Sequence, residues 1–262
     1  MEIFYIIVFG ILGAAIGSFL NVVIDRLPAG KSLAYPPSSC DACQRRLSWP
    51  DLFPVFSYLI LRGRCRYCRA KIPQRVFWVE LGTGLLVAFL FWHFISKPEL
   101  PVAWLPLTIV YSSILIAIAL IDLNHQLILN KIVYPVSIIA LIVNLFVPDI
   151  FSVHNFLFGL LGAAVGFLIL FLPAIIIRKG MGWGDVKMAG MIGLMVGFPN
   201  VIVAVFGGII LGGLVAIILL ASRQKTRKEG IPFGPYLSLA TIVTMIWGTQ
   251  IIHWYLHLFN LA

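Results

Sequence analysis

Residues 177–193 read IRKGMGWGDVKMAGMIG, with one carboxylate, Asp185, beside Gly182 and Gly184 and a long apolar run on either side. Those runs decide the fold class. Of the 262 residues, 61% are apolar and only 11% charged, and several uninterrupted apolar stretches reach the roughly 20 residues that cross a bilayer as a helix. The expectation is an all-α polytopic membrane protein held in a lipid bilayer. The first run, 3–24, has no basic residue before it and is followed by Asp25 and Arg26 without a cleavage site, so it reads as an anchor and not a removable signal. Further spans are expected at 77–96, 101–121, 132–150, 156–177, 186–198, 200–221 and 236–258, about eight helices when the short sixth is counted. Pro101, Pro199 and Pro235 fall at span ends, where a missing N–H does least harm, whereas Pro173 lies inside a span and is expected to kink it.

Charge gives the orientation. Loop 25–76 carries ten Lys and Arg residues, and the alternate connections on the same face bring the total there to 18 of 19, with only Lys97 opposite. The positive-inside rule then places this loop in the cytoplasm and both termini outside. The net charge of +9 is thus a topology signal, and no nucleic-acid partner is inferred from it. Nothing in the sequence sets the oligomeric state.

The same loop holds every cysteine in the chain, Cys40 and Cys43 in CDAC and Cys65 and Cys68 in CRYC. Two Cys-x-x-Cys pairs at this separation can close four thiolates around zinc, and a short loop with little apolar core needs such a staple to fold. Disulfides are the alternative, and they would need an oxidising compartment. Four sulfur ligands leave no open position for substrate, so the expected role is structural.

With this topology, Asp122 in ALIDLNHQLILNK closes the third span and Asp185 opens the sixth, on the same face at similar depth. Acids at a membrane edge are costly and imply a polar cavity. Two carboxylates brought together share a proton, one serving as base toward water and the other as acid toward a carbonyl. Gly182 and Gly184 would let a substrate backbone approach closely. A glycine turn with an aspartate capping the next helix is the plainer reading of GMGWGD taken alone. Lys187 either pairs with Asp185 or extends to the headgroups, and Glu80 reads as a charge at a helix start.

Several stretches together carry a resemblance: GSFLNVVIDRLP at 17–28, the two Cys-x-x-Cys pairs, QRVFWVELGTG at 74–84, IDLNHQLILN at 121–130, GMGWGDVKMAGMIG at 180–193 and IPFGPYL at 231–237. The chain resembles the type IV prepilin peptidases, membrane aspartic proteases of the GxGD type. The resemblance implies catalytic aspartates at Asp122 and Asp185, cleavage of basic leaders from prepilins and pseudopilins, and residence in the bacterial inner membrane. It also implies an S-adenosylmethionine-dependent methyltransferase in the same chain, in which a part for Glu80 is the alternative to its reading as a helix-start charge, and for which no residue pattern here marks a pocket. On this basis the chain divides into a first helix at 1–24, a cytoplasmic zinc loop at 25–76 and a transmembrane peptidase domain at 77–262. Where family members often read DLDHQLLPD, this chain has Asn124, Leu129 and Asn130, a departure that spares Asp122. A transporter or assembly scaffold is the competing class, but it should show inverted repeats and mid-membrane acids, and neither is present in the sequence.

Overall fold

The computed structural model describes residues 1–97, 101–146, 156–176, 182–222 and 230–259. Among these the chain forms nine α-helices: α1 (Glu2–Arg26), α2 (Phe56–Ile60), α3 (Gln74–Ser96), α4 (Leu105–His125), α5 (Asn130–Phe146), α6 (Phe156–Ile176), α7 (Trp183–Val196), α8 (Asn200–Ala221) and α9 (Gly234–Leu258). Residues 147–150 of the expected fourth span, residue 177 and residues 180 and 181 of the glycine run lie outside the described residues.

Among the described residues six helices are long and apolar enough to cross a membrane: Glu2–Arg26, Gln74–Ser96, Val102–His125, Phe156–Ile176, Asn200–Ala221 and Gly234–Leu258. The eight expected from the sequence included α5, which has 17 residues, and α7, which has 14. The cause of α7's shortness is local. Gly197 adopts φ 69°, a left-handed conformation open to glycine, and its N–H returns to the carbonyl of Gly193 to close the helix. Pro199 then caps α8. Both Pro173 and Pro135 sit inside helices, α6 and α5, and the second was not singled out from the sequence.

The chain forms two compact units, Met1–Ser113 and Ile114–Ala262. In the first, α1 lies along α3. Contact between two apolar helices in lipid gains little from the hydrophobic effect, so it depends on how closely the backbones approach. Gly13 and Gly17 provide that approach. A Cβ at Gly13 would stand 2.7 Å from the Thr83 carbonyl oxygen, and one at Gly17 would stand 2.8 Å from the Cα of Glu80. Phe9 stacks on Phe91 with ring centroids 4.1 Å apart.

In the second unit α7 contacts α5, α6, α8 and α9. Met188, Ala189, Met191, Ile192, Met195 and Val196 are all buried, so beyond Lys187 the helix carries only apolar residues, as suits one packed against four neighbours. Against α6 the approach is again backbone to backbone. A Cβ at Gly162 would lie 2.5 Å from the Gly193 oxygen, and one at Gly166 would lie 2.5 Å from the Ala189 oxygen. Asn144 of α5, 4% exposed, donates from Nδ2 to the Leu194 carbonyl at 2.8 Å and ties α5 to the same helix.

Because a Cβ at Gly193 would strike the Gly162 carbonyl, Gly193→Val should destabilise the protein by about 2 kcal/mol or more. At Gly213 a Cβ meets nothing within 4 Å, so Gly213→Ala should change stability by no more than about 0.5 kcal/mol. Thermal unfolding of the two variants in detergent measures the contrast.

Candidate active site and metal centre

Asp122 lies in the last turn of α4, where the helix ends as Gln126 turns into the left-handed region at φ 52°. Its side chain is buried, and Oδ2 accepts the N–H of Gly234 at 2.9 Å. Gly234 is the first residue of α9, whose leading N–H groups have no partner within the helix and form its electropositive end. Only glycine fits this contact, because a Cβ would stand 2.8 Å from that carboxylate oxygen. Nothing local in IPFGPYL marks Gly234 for this contact. Its partner is 112 residues away, and no local pattern connects the two.

Asp185 occupies the first turn of α7, after the cap residue Gly182. Its N–H donates to the Gly182 carbonyl at 3.1 Å, and its carboxylate accepts the Gly182 N–H in return. A Cβ at Gly182 would lie 2.9 Å from Asp185 Oδ2, and one at Gly184 would lie 2.8 Å from the Cβ of Ile128. The two glycines thus let the start of α7 sit against the segment that follows α4. In this arrangement the Asp122 and Asp185 carboxyl groups come within electrostatic reach of each other. Among the described residues Lys187 forms no ion pair with Asp185. Its ammonium donates to Asn130 Oδ1 at 3.3 Å and stands 5.4 Å from the centre of the Tyr134 ring.

Glu80 also differs from its sequence reading. The helix that carries it begins at Gln74, so Glu80 lies beyond the first turn, 5% exposed, and accepts the Val55 N–H at 2.7 Å.

The four cysteines come from two copies of one turn. In the first, Cys40 N–H donates to Arg45 O, Gln44 N–H donates to Cys40 O, and Ser39 pairs with Arg46. In the second, Cys65 N–H donates to Ala70 O, Arg69 N–H donates to Cys65 O, and Arg64 pairs with Lys71. The residue after each second cysteine, Gln44 or Arg69, has positive φ. All four sulfurs lie within 4.8 Å of one another, and Cys40 Sγ is 3.7 Å from Cys68 Sγ. Tetrahedral thiolates at the usual Zn–S length of about 2.3 Å stand about 3.8 Å apart, so this donor set fits zinc. No pair is joined as a disulfide. Backbone N–H groups of Cys68 and Tyr67 hold the Cys65 thiol down to about 7. Although the Ala70 N–H favours its thiolate, burial and the neighbouring sulfurs push Cys68 up to about 11.

Asp51 braces the second turn. Its carboxylate accepts from Ser48 N at 3.1 Å, Ser48 Oγ at 2.7 Å and Tyr67 Oη at 3.1 Å, and it pairs with Arg66 Nε at 2.6 Å. Burial acts to raise its pKa, but these donors together hold it at about 2.

Two family models match the chain. Residues 11–94 match the bacterial peptidase A24 N-terminal domain, and residues 109–217 match the type IV leader peptidase family. Among curated relatives, the prepilin leader peptidase/N-methyltransferase of Pseudomonas putida is 34% identical, over 95% of this chain and 92% of its own. The protein of the same name from Stutzerimonas stutzeri is 32% identical, over 94% and 92%. Its namesake in Bacillus subtilis (strain 168) is 31% identical, over 94% and 96%. No solved structure matches the chain significantly. Helices of membrane-spanning length and a four-cysteine loop define the class, a multi-pass membrane protein with a metal-type knuckle. Within that class the chain belongs to the type IV leader peptidase family.

Removing the Asp51 carboxylate should loosen the knuckle, since it leaves Arg66 and the Ser48 and Tyr67 donors without their acceptor. Asp51→Ala should therefore be cut faster by protease within residues 25–76 at pH 7. The folded-state pKa lies below the ordinary 3.8, so the carboxylate's contribution is present above about pH 4 and lost as pH falls toward 2. The protection difference between wild type and variant should close over that interval.

Proposed function

We propose that this chain removes the basic leader from type IV prepilins and pseudopilins with Asp122 and Asp185, and methylates the new N-terminus with S-adenosylmethionine. The observation that carries the reading is the buried Asp122, clasped by the Gly234 N–H, within electrostatic reach of Asp185 in a member of a peptidase family whose relatives are named for both activities.

The chemistry asked of the pair is peptide hydrolysis. One carboxyl group is ionised and the other protonated, and the titration belongs to the pair. The ionised one accepts a proton from water as the water oxygen bonds to the scissile carbonyl carbon, while the protonated one donates a hydrogen bond to the carbonyl oxygen. Collapse breaks the C–N bond, and the departing amine takes the proton. Gly182 bears no side chain beside the Asp185 carboxylate, so an extended substrate backbone, which a helical segment must unwind locally to present, can approach there, while the space at Gly184 is taken by Ile128.

The reading extends to topology. α5 and α7 complete eight segments, with both termini outside and the basic 25–76 loop and the aspartates on the cytoplasmic side of the inner membrane. At about 1.5 Å per residue α7 is shorter than the hydrocarbon layer, which suits a helix that begins at a wet site. Cys40, Cys43, Cys65 and Cys68 would hold a structural zinc that fixes the loop. S-adenosylmethionine, when bound, supplies an electrophilic methyl group for the exposed amine.

Mixing detergent-purified protein with a prepilin, with and without S-adenosylmethionine, and following leader loss and methylation by mass spectrometry tests both activities. Asp122→Asn and Asp185→Asn should each lower cleavage by about a thousandfold or more while leaving the protein folded. Near-normal cleavage by either variant would overturn the two-aspartate mechanism.

Metal analysis should return about one zinc per chain. The ion should be lost from the double variant Cys40→Ser, Cys65→Ser, with residues 25–76 becoming protease-sensitive. A zinc-free preparation with an equally protected loop would reject the structural role.

A further inference from the structure

Within the first unit a cavity of about 280 Å³ lies beside the knuckle, large enough for a fragment of a small molecule. Its lining includes Ser18, Asn21 and Asp25 of α1 and Arg75 and Glu80 of α3, and the rest of the wall mixes aliphatic side chains and Tyr58 with polar and charged residues of the knuckle, Cys40 and Cys65 among them. None of these residues has a part in the peptidase chemistry above.

Two of them border the cavity with a polar atom that has no partner. Asn21 is 6% exposed, and its Nδ2 donates to the carbonyls of Gly17 and Val76, each at 3.2 Å. Those two carbonyls fix which end of the amide is nitrogen, and Oδ1 is left as a buried acceptor without a donor. Arg75 binds both oxygens of Asp25 through Nη2, at 2.6 and 2.7 Å, leaving its buried Nε–H unpaired. Glu80 adds a buried carboxylate, braced by the Val55 N–H and the Ser18 hydroxyl. Buried polar groups are ordinarily paired, so unpaired ones lining a cavity describe the ligand that would satisfy them.

That ligand needs a cationic donor for Asn21 Oδ1 and Glu80 and an anionic acceptor for Arg75 Nε. An α-amino acid end, with ammonium and carboxylate on one carbon, has both. We propose that this cavity binds the aminocarboxypropyl end of S-adenosylmethionine, with Glu80 and Asn21 taking the ammonium and Arg75 the carboxylate. The assignment rests on the methyltransferase half of the proposed function and names the residues that serve it.

The test uses the full chain in detergent and titrates two probes by calorimetry. S-adenosylhomocysteine carries the amino acid end, and 5′-methylthioadenosine lacks it. Asn21→Ala and Glu80→Gln should each weaken S-adenosylhomocysteine binding about tenfold or more. Their affinity for 5′-methylthioadenosine and their prepilin cleavage should stay within about twofold of wild type, the second showing that the fold is kept. Unchanged S-adenosylhomocysteine binding in both variants, or equal loss of both probes, overturns the assignment. Should the variants lose cleavage as well, photo-crosslinking of wild-type protein with methyl-tritiated S-adenosylmethionine decides. Label within residues 18–25 or 75–80 supports the assignment, and label elsewhere overturns it. A wild type that methylates but is labelled elsewhere loses only this assignment. One that neither binds nor methylates loses methyl transfer from the proposed function and the assignment with it.

Discussion

A peptide N–H or C=O inside the hydrocarbon layer has no water to bind, so a chain that crosses must satisfy its backbone internally as helices. Much of the architecture follows from this. Helices that already have their hydrogen bonds, and whose side chains are as apolar as the lipid, gain by packing backbones closely, and the glycines of α1, α6 and α7 sit where that happens. A Cβ at Gly13, Gly162 or Gly166 would fall 2.5–2.7 Å from a carbonyl oxygen of the neighbouring helix. The loop of residues 25–76 has little apolar core of its own, and four converging sulfurs with an Asp51-centred set of hydrogen bonds take over the part that burial plays elsewhere.

The same constraint explains where the acids sit. The places along a crossing helix that offer unpaired N–H groups are its first residues. Asp122 finds one at the start of α9, and Asp185 stands at the start of α7 and engages Gly182 on both sides of the peptide unit. Each carboxylate is therefore beside the electropositive end of a helix, which offsets part of the cost of placing it at a membrane edge. The glycine at each of those starts removes the side chain that would otherwise occupy the carboxylate's position.

Much of this could be read from the sequence, because bilayer thickness sets a length that apolar runs reveal directly. The start of α8 falls on the residue expected, and α3 begins three residues before its expected start. The count of eight rested on α5 and α7, and the end of α7 is set by the backbone of Gly197 and not by hydropathy. The grouping of four cysteines was legible because ligand spacing is local. The clasp of Gly234 on Asp122, the burial of Glu80 under Val55, and the turn of Lys187 toward Asn130 and Tyr134 were not, since each joins residues 25 to 112 positions apart. Neither periodicity nor a repeated ligand motif marks any of these three contacts. The plain capping geometry weighed for GMGWGD is present too, with Asp185 reaching back to Gly182, so one residue meets a local and a long-range description at once.

The clasp also has an order in time. A ribosome makes Asp122 well before it makes Gly234, and α5, α6, α7 and α8 are all synthesised in the interval. Throughout that interval the Asp122 carboxylate lacks the N–H that holds it in the finished protein. A chain interrupted after Asp185 and before α9 would hold both aspartates and still lack the donor. The pair is thus completed only when α9 is made, so that a molecule built as far as α8 does not yet carry the finished arrangement.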